Sequence, residues 1–239
     1  MYDDAALKSD SASVLERIRH AILDGTWSPG HRLGPATLAK DFDTSTTVVR
    51  EALTRLAGQS LLEAKFNRGF FLPTVDLQDF LDVTELRCTT EILALGLALE
   101  RGDLRWETEL IAAHHRMLKT PRRTPDGQVS AEWRVAHWAF HYTLLSGCGC
   151  EPMLRITGGL AQATDLYRCL VAPEPAALQR DVEGEHKDIL DAALSRDVSR
   201  ASELLRHHFE ETARIVTTSK LAASRKAPRA RKKDKSAAA

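Results

Sequence analysis

The chain changes character at Pro73, and that change limits its fold more than any other feature. Up to Pro73, short helical stretches alternate with turns and end in two strand-like runs. After it, strand signals vanish and apolar residues recur at helical spacing. Helices are expected near 76–101, 104–119, 130–147, 151–171, 175–195 and 197–221. They are separated by Gly102-Asp103, the TPRRTPDG loop, the stretch from Gly147 to Gly149, and APEPA. The fold class that follows is mainly α. A small helix-helix-helix-hairpin unit occupies residues 1–75, and an all-α antiparallel helical bundle occupies 76–221.

Within the first unit, SVLERIRHAILD (13–24) places Val14, Leu15, Ile18, Ala21 and Ile22 on one helical face, and Gly25 ends that helix. TWSPGHRL turns around Pro29-Gly30, and PATLAKDF is a short helix with Pro35 in its first turn. After the polar break DTST, TTVVREALTRLAGQ carries a core stripe of Val49, Ala52, Leu53 and Leu56, with Ser45 as its N-cap. LLEAK and GFFLP read as two strands joined by FNRG.

The chain is 43% hydrophobic, enough to bury a core. No apolar run approaches the roughly 18 residues of a membrane span. The acidic N-terminus, MYDDAALKSD, lacks the basic and apolar regions of a secretory signal. Cys88, Cys148, Cys150 and Cys169 form no disulfide-scaffold spacing. A cytoplasmic protein with reduced thiols and no membrane partner is expected. The net charge of zero hides a segregation. Residues 76–219 carry sixteen basic and twenty-three acidic side chains, a net of −7, whereas residues 220–239 carry eight and one, a net of +7. Residues 222–239 are expected to be a disordered basic tail, either solubilising or a salt-sensitive, sequence-blind hold on nucleic acid.

Three short helices and a two-stranded wing describe a winged helix-turn-helix, whose third helix enters the major groove. The outward face of that helix carries Thr46, Thr47, Arg50, Thr54 and Arg55, with Arg50 best suited to guanine or phosphate. In the wing tip, Arg68 supplies charge and Gly69 a tight turn for approach to the minor groove or backbone. The same shape also serves in protein interaction, so shape alone leaves the partner open. The residues narrow it. ILDGTWSPGHRL, LAKDF and TTVVREALTRLAGQSLLEAKFNRGFFL resemble the GntR-type transcription regulators over roughly residues 12–73. The resemblance implies a double-stranded DNA operator bound by a homodimer, with repression the commoner outcome. There are departures: Ala36 and Thr46 stand where the family usually has arginine, and Asp43 where glycine is common. Each bidentate arginine–guanine pair is worth roughly 1–3 kcal/mol of discrimination, so a different or looser operator is expected.

In HWAFHYTLL, His137 and His141 lie four residues apart on nearly one helical face. Two imidazoles there either pack or share a metal. TELRCTTE, HWAFHYTLLSGCGCEPML, EHKDILDAALSRD and ASELLRHHFEE resemble the family's FadR-like ligand-sensing domain, FCD, over about residues 76–215. The resemblance implies a divalent metal held by the residue three before a Phe-His pair, by that histidine and by two later ones. Here the pair is Phe140-His141, and the set is His137, His141, His186 and His208, with His137 in place of the usual Asp or Asn.

Periodicity agrees independently. His186 shares a stripe with Ile189, Leu190 and Ala193, and His208 with Leu204, Leu205 and Ile215. His207 lies about 100° away and should face water. Four inward histidines are hard to bury with every nitrogen paired, and a metal satisfies them jointly. Imidazoles suit Zn, Ni, Fe or Cu, and availability favours Zn. Neutral ligands leave the ion's charge uncompensated, which favours a small carboxylate effector. Arg87 and Arg134 are the candidate clamps for it. Cys148 and Cys150 lack the second pair of a zinc site and read as packing residues.

Three functions compete: an effector-responsive regulator, a metal-dependent hydrolase with a DNA-binding appendage, and a regulator whose metal is purely structural. The H-x-x-x-H here encloses Trp138-Ala139-Phe140 and lacks the glutamate of H-E-x-x-H, so a sensor rather than an enzyme is expected.

Overall fold

The computed structural model describes residues 4–125 and 127–219, with side chains from residue 13 onward. The expected basic tail, 222–239, lies outside the described residues.

Helix α1 (Asp4–Leu23) buries Val14, Leu15, Ile18 and Ile22. It ends as expected at Gly25, whose φ is +76°. Thr26 N–H donates to Ala21 and Gly25 N–H to Ile22, a Schellman closure that satisfies the last carbonyls. Strand β1 (Arg32–Leu33) follows, then α2 (Pro35–Asp41) with its proline in the first turn. Helix α3 (Thr46–Gly58) is capped by Ser45, whose Oγ accepts from Val48 N–H at 3.2 Å. Strands β2 (Glu63–Lys65) and β3 (Gly69–Phe71) complete an antiparallel sheet of order β1-β3-β2, with Arg32 and Glu63 both opposite Phe71. The hairpin was expected. The two-residue β1 was not, because it is too short to show alternation.

The turn between α2 and α3 repeats the closure of α1. Asp43 N–H donates to Lys40 and Thr44 N–H to Ala39. Asp43 therefore occupies the left-handed position, φ +51°, that glycine takes most easily. Aspartate is among the few other residues that visit it.

The bundle opens with α4 (Leu77–Arg101), capped by Asp76, and α5 (Leu104–Lys119), capped by Asp103. Next come α6 (Ala131–Ser146), capped by Ser130, and α7 (Glu151–Leu170). The helix expected over 175–195 is broken. Helix α8 (Pro175–Gln179) stops, Arg180 is extended, and α9 (Val182–Leu194) restarts. The cause is Asp181, whose carboxylate accepts from Gly184 N–H at 2.9 Å and so caps a new helix inside the expected one. Helix α10 (Val198–Thr218) closes the described chain.

Helix α4 packs on α7 and α10, and α5 on α6 and α9. The bundle core centres on Leu95, Leu110, Phe140, Leu144, Ile189 and Leu205. Helix α7 also leaves its own bundle: Leu166 and Cys169 pack into the core formed by α1, α3 and the wing. Tyr167 Oη grips the connector, accepting from Asp76 N–H at 3.1 Å and donating to Asp76 carbonyl at 2.9 Å.

The Asp43 conformation sets how α3 follows α2. Asp43→Val places a β-branched residue in the left-handed region and should lower stability by roughly 1–3 kcal/mol. Asp43→Gly should not destabilise. Thermal unfolding of the two variants beside the parent checks this.

Candidate metal centre and nucleic-acid interface

His137 and His141 come from α6, His186 from α9 and His208 from α10. All four are buried, and one nitrogen from each lies within 4.8 Å of the others. Their helices bring them together because each histidine sits on its helix's apolar stripe, as the periodicity indicated. His207 is exposed, also as expected.

Hydrogen bonds fix two of the rings. His186 Nδ1 donates to Val182 carbonyl at 2.6 Å, which leaves its Nε2 lone pair facing the cluster. His208 Nδ1 lies 2.7 Å from Glu185 Oε2 and 3.2 Å from Arg180 Nη2. A guanidinium cannot accept, so the Nδ1 proton points to Glu185 and the approach of Arg180 is no hydrogen bond. His208 Nε2 then faces the cluster. His141 Nε2 stands 3.1 Å from His186 Nε2, while its Nδ1 is buried without a partner. His137 makes no hydrogen bond to any described residue and stacks on Trp133, ring centroids 4.6 Å apart.

Burial holds all four rings neutral. It pushes His186 down to about 3, and His137, His141 and His208 well below the usual imidazole range. Mutual repulsion among the rings and with Arg168, Arg180 and Arg87 adds to the effect. Neutral imidazoles are the form that binds metal. In a tetrahedral zinc site with Zn–N of about 2.0–2.1 Å, neighbouring ligand nitrogens lie roughly 3.3 Å apart. The spacing here, the outer bonds to Val182 and Glu185, and the unsatisfied His141 and His137 all fit such an ion.

A cavity of about 40 Å³ opens beside His137 and His208, space for roughly three waters. Four arginines line it: Arg122, Arg123, Arg168 and Arg180. Arg180 is fully engaged, with both Glu185 oxygens at 2.6 Å and Thr212 Oγ1 at 2.8 Å. Arg168 holds Asp165 at 2.6 Å. Arg123 donates to the carbonyls of Gly127, Ala172 and Ala177. Arg122 makes one long hydrogen bond, to Arg180 carbonyl at 3.4 Å, lies 5.6 Å over the Trp133 ring, and its Nε is buried without a partner. Burial, then Arg123 and Arg180, lower its pKa to about 10. Neither Arg122 nor Arg123 pairs with a carboxylate among the described residues.

The expected clamps lie elsewhere. Arg87 is buried behind the histidines, where it holds Glu91 at 2.6 Å and Thr164 at 2.8 Å and lies over the Phe209 ring. Arg134 reaches the other unit and pairs with Asp24 at 3.0 Å. Neither lines the cavity. Both are internal ties, because a buried guanidinium takes the nearest acid and each has one at hand. The cavity arginines escaped notice for a different reason. Arg122 and Arg123 sit in a loop with no periodicity, and Arg180 lies in the unforeseen helix break. The adjacent Arg-Arg pair between two prolines was the one available signal. Cys148 is fully buried and Cys150 half-buried, both free thiols away from the histidine cluster, as expected of packing residues.

At the other end of the chain, Thr46, Thr47, Arg50, Thr54 and Arg55 are all exposed along α3. Arg55 pairs with Glu51 at 2.9 Å, and Thr54 Oγ1 donates to Arg50 carbonyl at 2.8 Å, whereas the Thr46, Thr47 and Arg50 side chains make no hydrogen bond to any described residue. At the wing tip Arg68 is exposed, and Gly69, φ +94°, makes the turn. Phe66 stands beside them 91% exposed, a feature sequence reading passed over.

Residues 10–72 match the family described as "Bacterial regulatory proteins, gntR family", and residues 82–211 match the FCD domain. The chain is 32% identical to the HTH-type transcriptional regulator BphR of Paraburkholderia xenovorans, over 89% of this chain and 87% of that protein. It is 27% identical to the HTH-type transcriptional repressor GlaR of Escherichia coli, over 80% and 89%. The solved structure of E. coli McbR/YncC shares the fold with a TM-score of 0.69 at 19% identity, over 87% of this chain and 96% of that one. No helix among the described residues is long and apolar enough to cross a membrane. With a winged helix-turn-helix matched over residues 10–72 and an FCD domain over residues 82–211, the chain belongs to the GntR family of DNA-binding transcriptional regulators.

Proposed function

We propose that this protein is a homodimeric repressor whose helical domain holds a divalent transition metal, zinc by availability, and a small organic anion that modulates operator binding. The observation that carries the reading is the group of four buried, neutral histidines opening on an arginine-lined cavity where the Nε of Arg122 has no partner. His137, His141, His186 and His208 would hold the ion, and bound there it supplies two positive charges that neutral imidazoles do not cancel. Arg122 and Arg123, which pair with no carboxylate among the described residues, add two more. A carboxylate meets that excess, and an anion reaching from the ion to Arg122 satisfies the idle Nε. Arg87 and Arg134 act as supports of the bundle and of its junction with residues 1–75.

Sensing fits better than catalysis. A hydrolytic metal site needs a free general base near its open position. The acid nearest the histidines, Glu185, is saturated by Arg180 and His208. On the DNA side, Arg50 reads a base edge, Thr46, Thr47, Thr54 and Arg55 position α3, and Arg68 with Gly69 sets the wing. Phe66 meets the DNA surface beside them.

Purified protein should contain about one transition metal per chain by mass spectrometry, and His141→Ala should lose most of it. Absence of metal from the parent, even after Zn or Ni is supplied, defeats the centre. Among small mono- and dicarboxylates screened by thermal shift on the metal-loaded protein, a binder should raise the melting temperature. Arg122→Ala should weaken that binder at least about tenfold, the scale of one lost charge-assisted hydrogen bond. On a duplex selected from a random pool, Arg50→Ala should lose roughly 1–3 kcal/mol of discrimination at one base pair, read by mobility shift.

A further inference from the structure

Arg168 and Asp165 pair across one turn of α7, Nη2 to Oδ1 at 2.6 Å, and their two ends face different spaces. Arg168 lines the cavity beside His137 and His208. Asp165 lines a separate cleft of about 200 Å³ between α1 and the bundle, shared with Arg19, His20 and Arg134. Within that junction Arg134 Nη1 holds Asp24, just past the end of α1, at 3.0 Å, while its Nη2 is buried without a partner. The Nε of Arg168 is buried without a partner too. One buried thiol, Cys169, senses all four charges: burial raises it to about 11, and Arg168, Asp165, Arg134 and Asp24 are its electrostatic neighbours.

We propose that the Arg168–Asp165 pair is a charge-exchange relay that reports occupancy of the cavity to the DNA-binding unit. A carboxylate grips a guanidinium most firmly along one edge, through two parallel N–H bonds. On Arg168 the edge that carries the idle Nε also carries Nη2, the nitrogen now holding Asp165. An anion docking on that edge displaces Asp165. The freed carboxylate, largely shielded from water, needs a new donor, and Arg134, whose Nη2 is idle, lines the same cleft. Asp24 and Asp165 then share the Arg134 guanidinium, and α1 is drawn tighter against α6 and α7. Arg168 and Asp165 are positioning residues in this account, acting on the DNA-binding unit through Arg134.

The relay rests on the proposed effector site, yet it can be triggered with no effector present. Arg168→Ala frees Asp165 permanently. Hydrogen exchange read by mass spectrometry on the full-length protein should then slow roughly three- to fivefold in residues 18–25 and 74–78 relative to the parent. The gain should vanish in the double variant Arg168→Ala with Asp165→Asn. Arg168→Gln, which keeps most of the side-chain stem, should read the same way and serves where the alanine variant does not fold. An arginine that merely props a helix would speed exchange when removed. Faster or unchanged exchange in the single variants, or a slowing that survives Asp165→Asn, overturns the relay. A carboxylate response lost in Arg122→Ala speaks to the cavity instead, so the two ideas fail separately.

Discussion

The arrangement of the bundle turns on one electrostatic constraint: four imidazoles are buried where none can take a second proton and its charge. His137, His141, His186 and His208 reach a common point from three helices, so α6, α9 and α10 must keep a fixed rotation and height relative to one another. Neutral rings are affordable in such a place only when their nitrogens have partners. Val182 and Glu185 supply two from outside. The inner nitrogens face one another, an arrangement that gathers more lone pairs than the ring protons can satisfy.

Glu185 shows how that constraint spreads. Its two oxygens serve Arg180 and the ring of His208 at once. Arg180 reaches it only because the chain is extended at that residue, between α8 and α9. The Asp181 cap that ends one helix and starts another is therefore part of the cluster's outer support. The cavity inherits its positive wall from the same local break, together with the Arg122-Arg123 loop. Helix α7 ties this region to the rest. Within one and a half turns it offers Thr164 to Arg87, Leu166 and Cys169 to the winged-helix core, Tyr167 to the connector and Arg168 to the cavity.

Much of this was legible in the residues. Helical periodicity located the histidine stripes, because which face of a helix is buried is a local property of spacing. Gly25 and Ser45 marked ends for the same reason. What periodicity cannot give is the identity of the facing element. Arg87 and Arg134 were expected to clamp a carboxylate effector, but their partners, Glu91 with Thr164 and Asp24, come from packing and not from spacing. Arg122, Arg123 and Arg180 lie in segments without a period and were missed as cavity residues. The unexpected break at Arg180 reflects a close local competition, in which one capping carboxylate outweighed the apolar pattern running through it. The left-handed Asp43 was visible only as a departure from glycine; its backbone angle gives the departure a meaning.

The presence of Leu166 and Cys169 in the core of the winged helix has a consequence for what counts as a domain here. A fragment ending at Pro73 would carry every side chain of the recognition face and the wing. It would also bare the apolar seat on α1 and α3 that α7 fills, and it would lose the grip of Arg134 on Asp24. The unit that reads DNA and the unit that folds are thus offset by a turn of helix drawn from nearly a hundred residues further along. Recombination that swapped the first 75 residues between relatives would need to carry that turn with them, so the boundary open to exchange in evolution is not the one drawn by the sequence families.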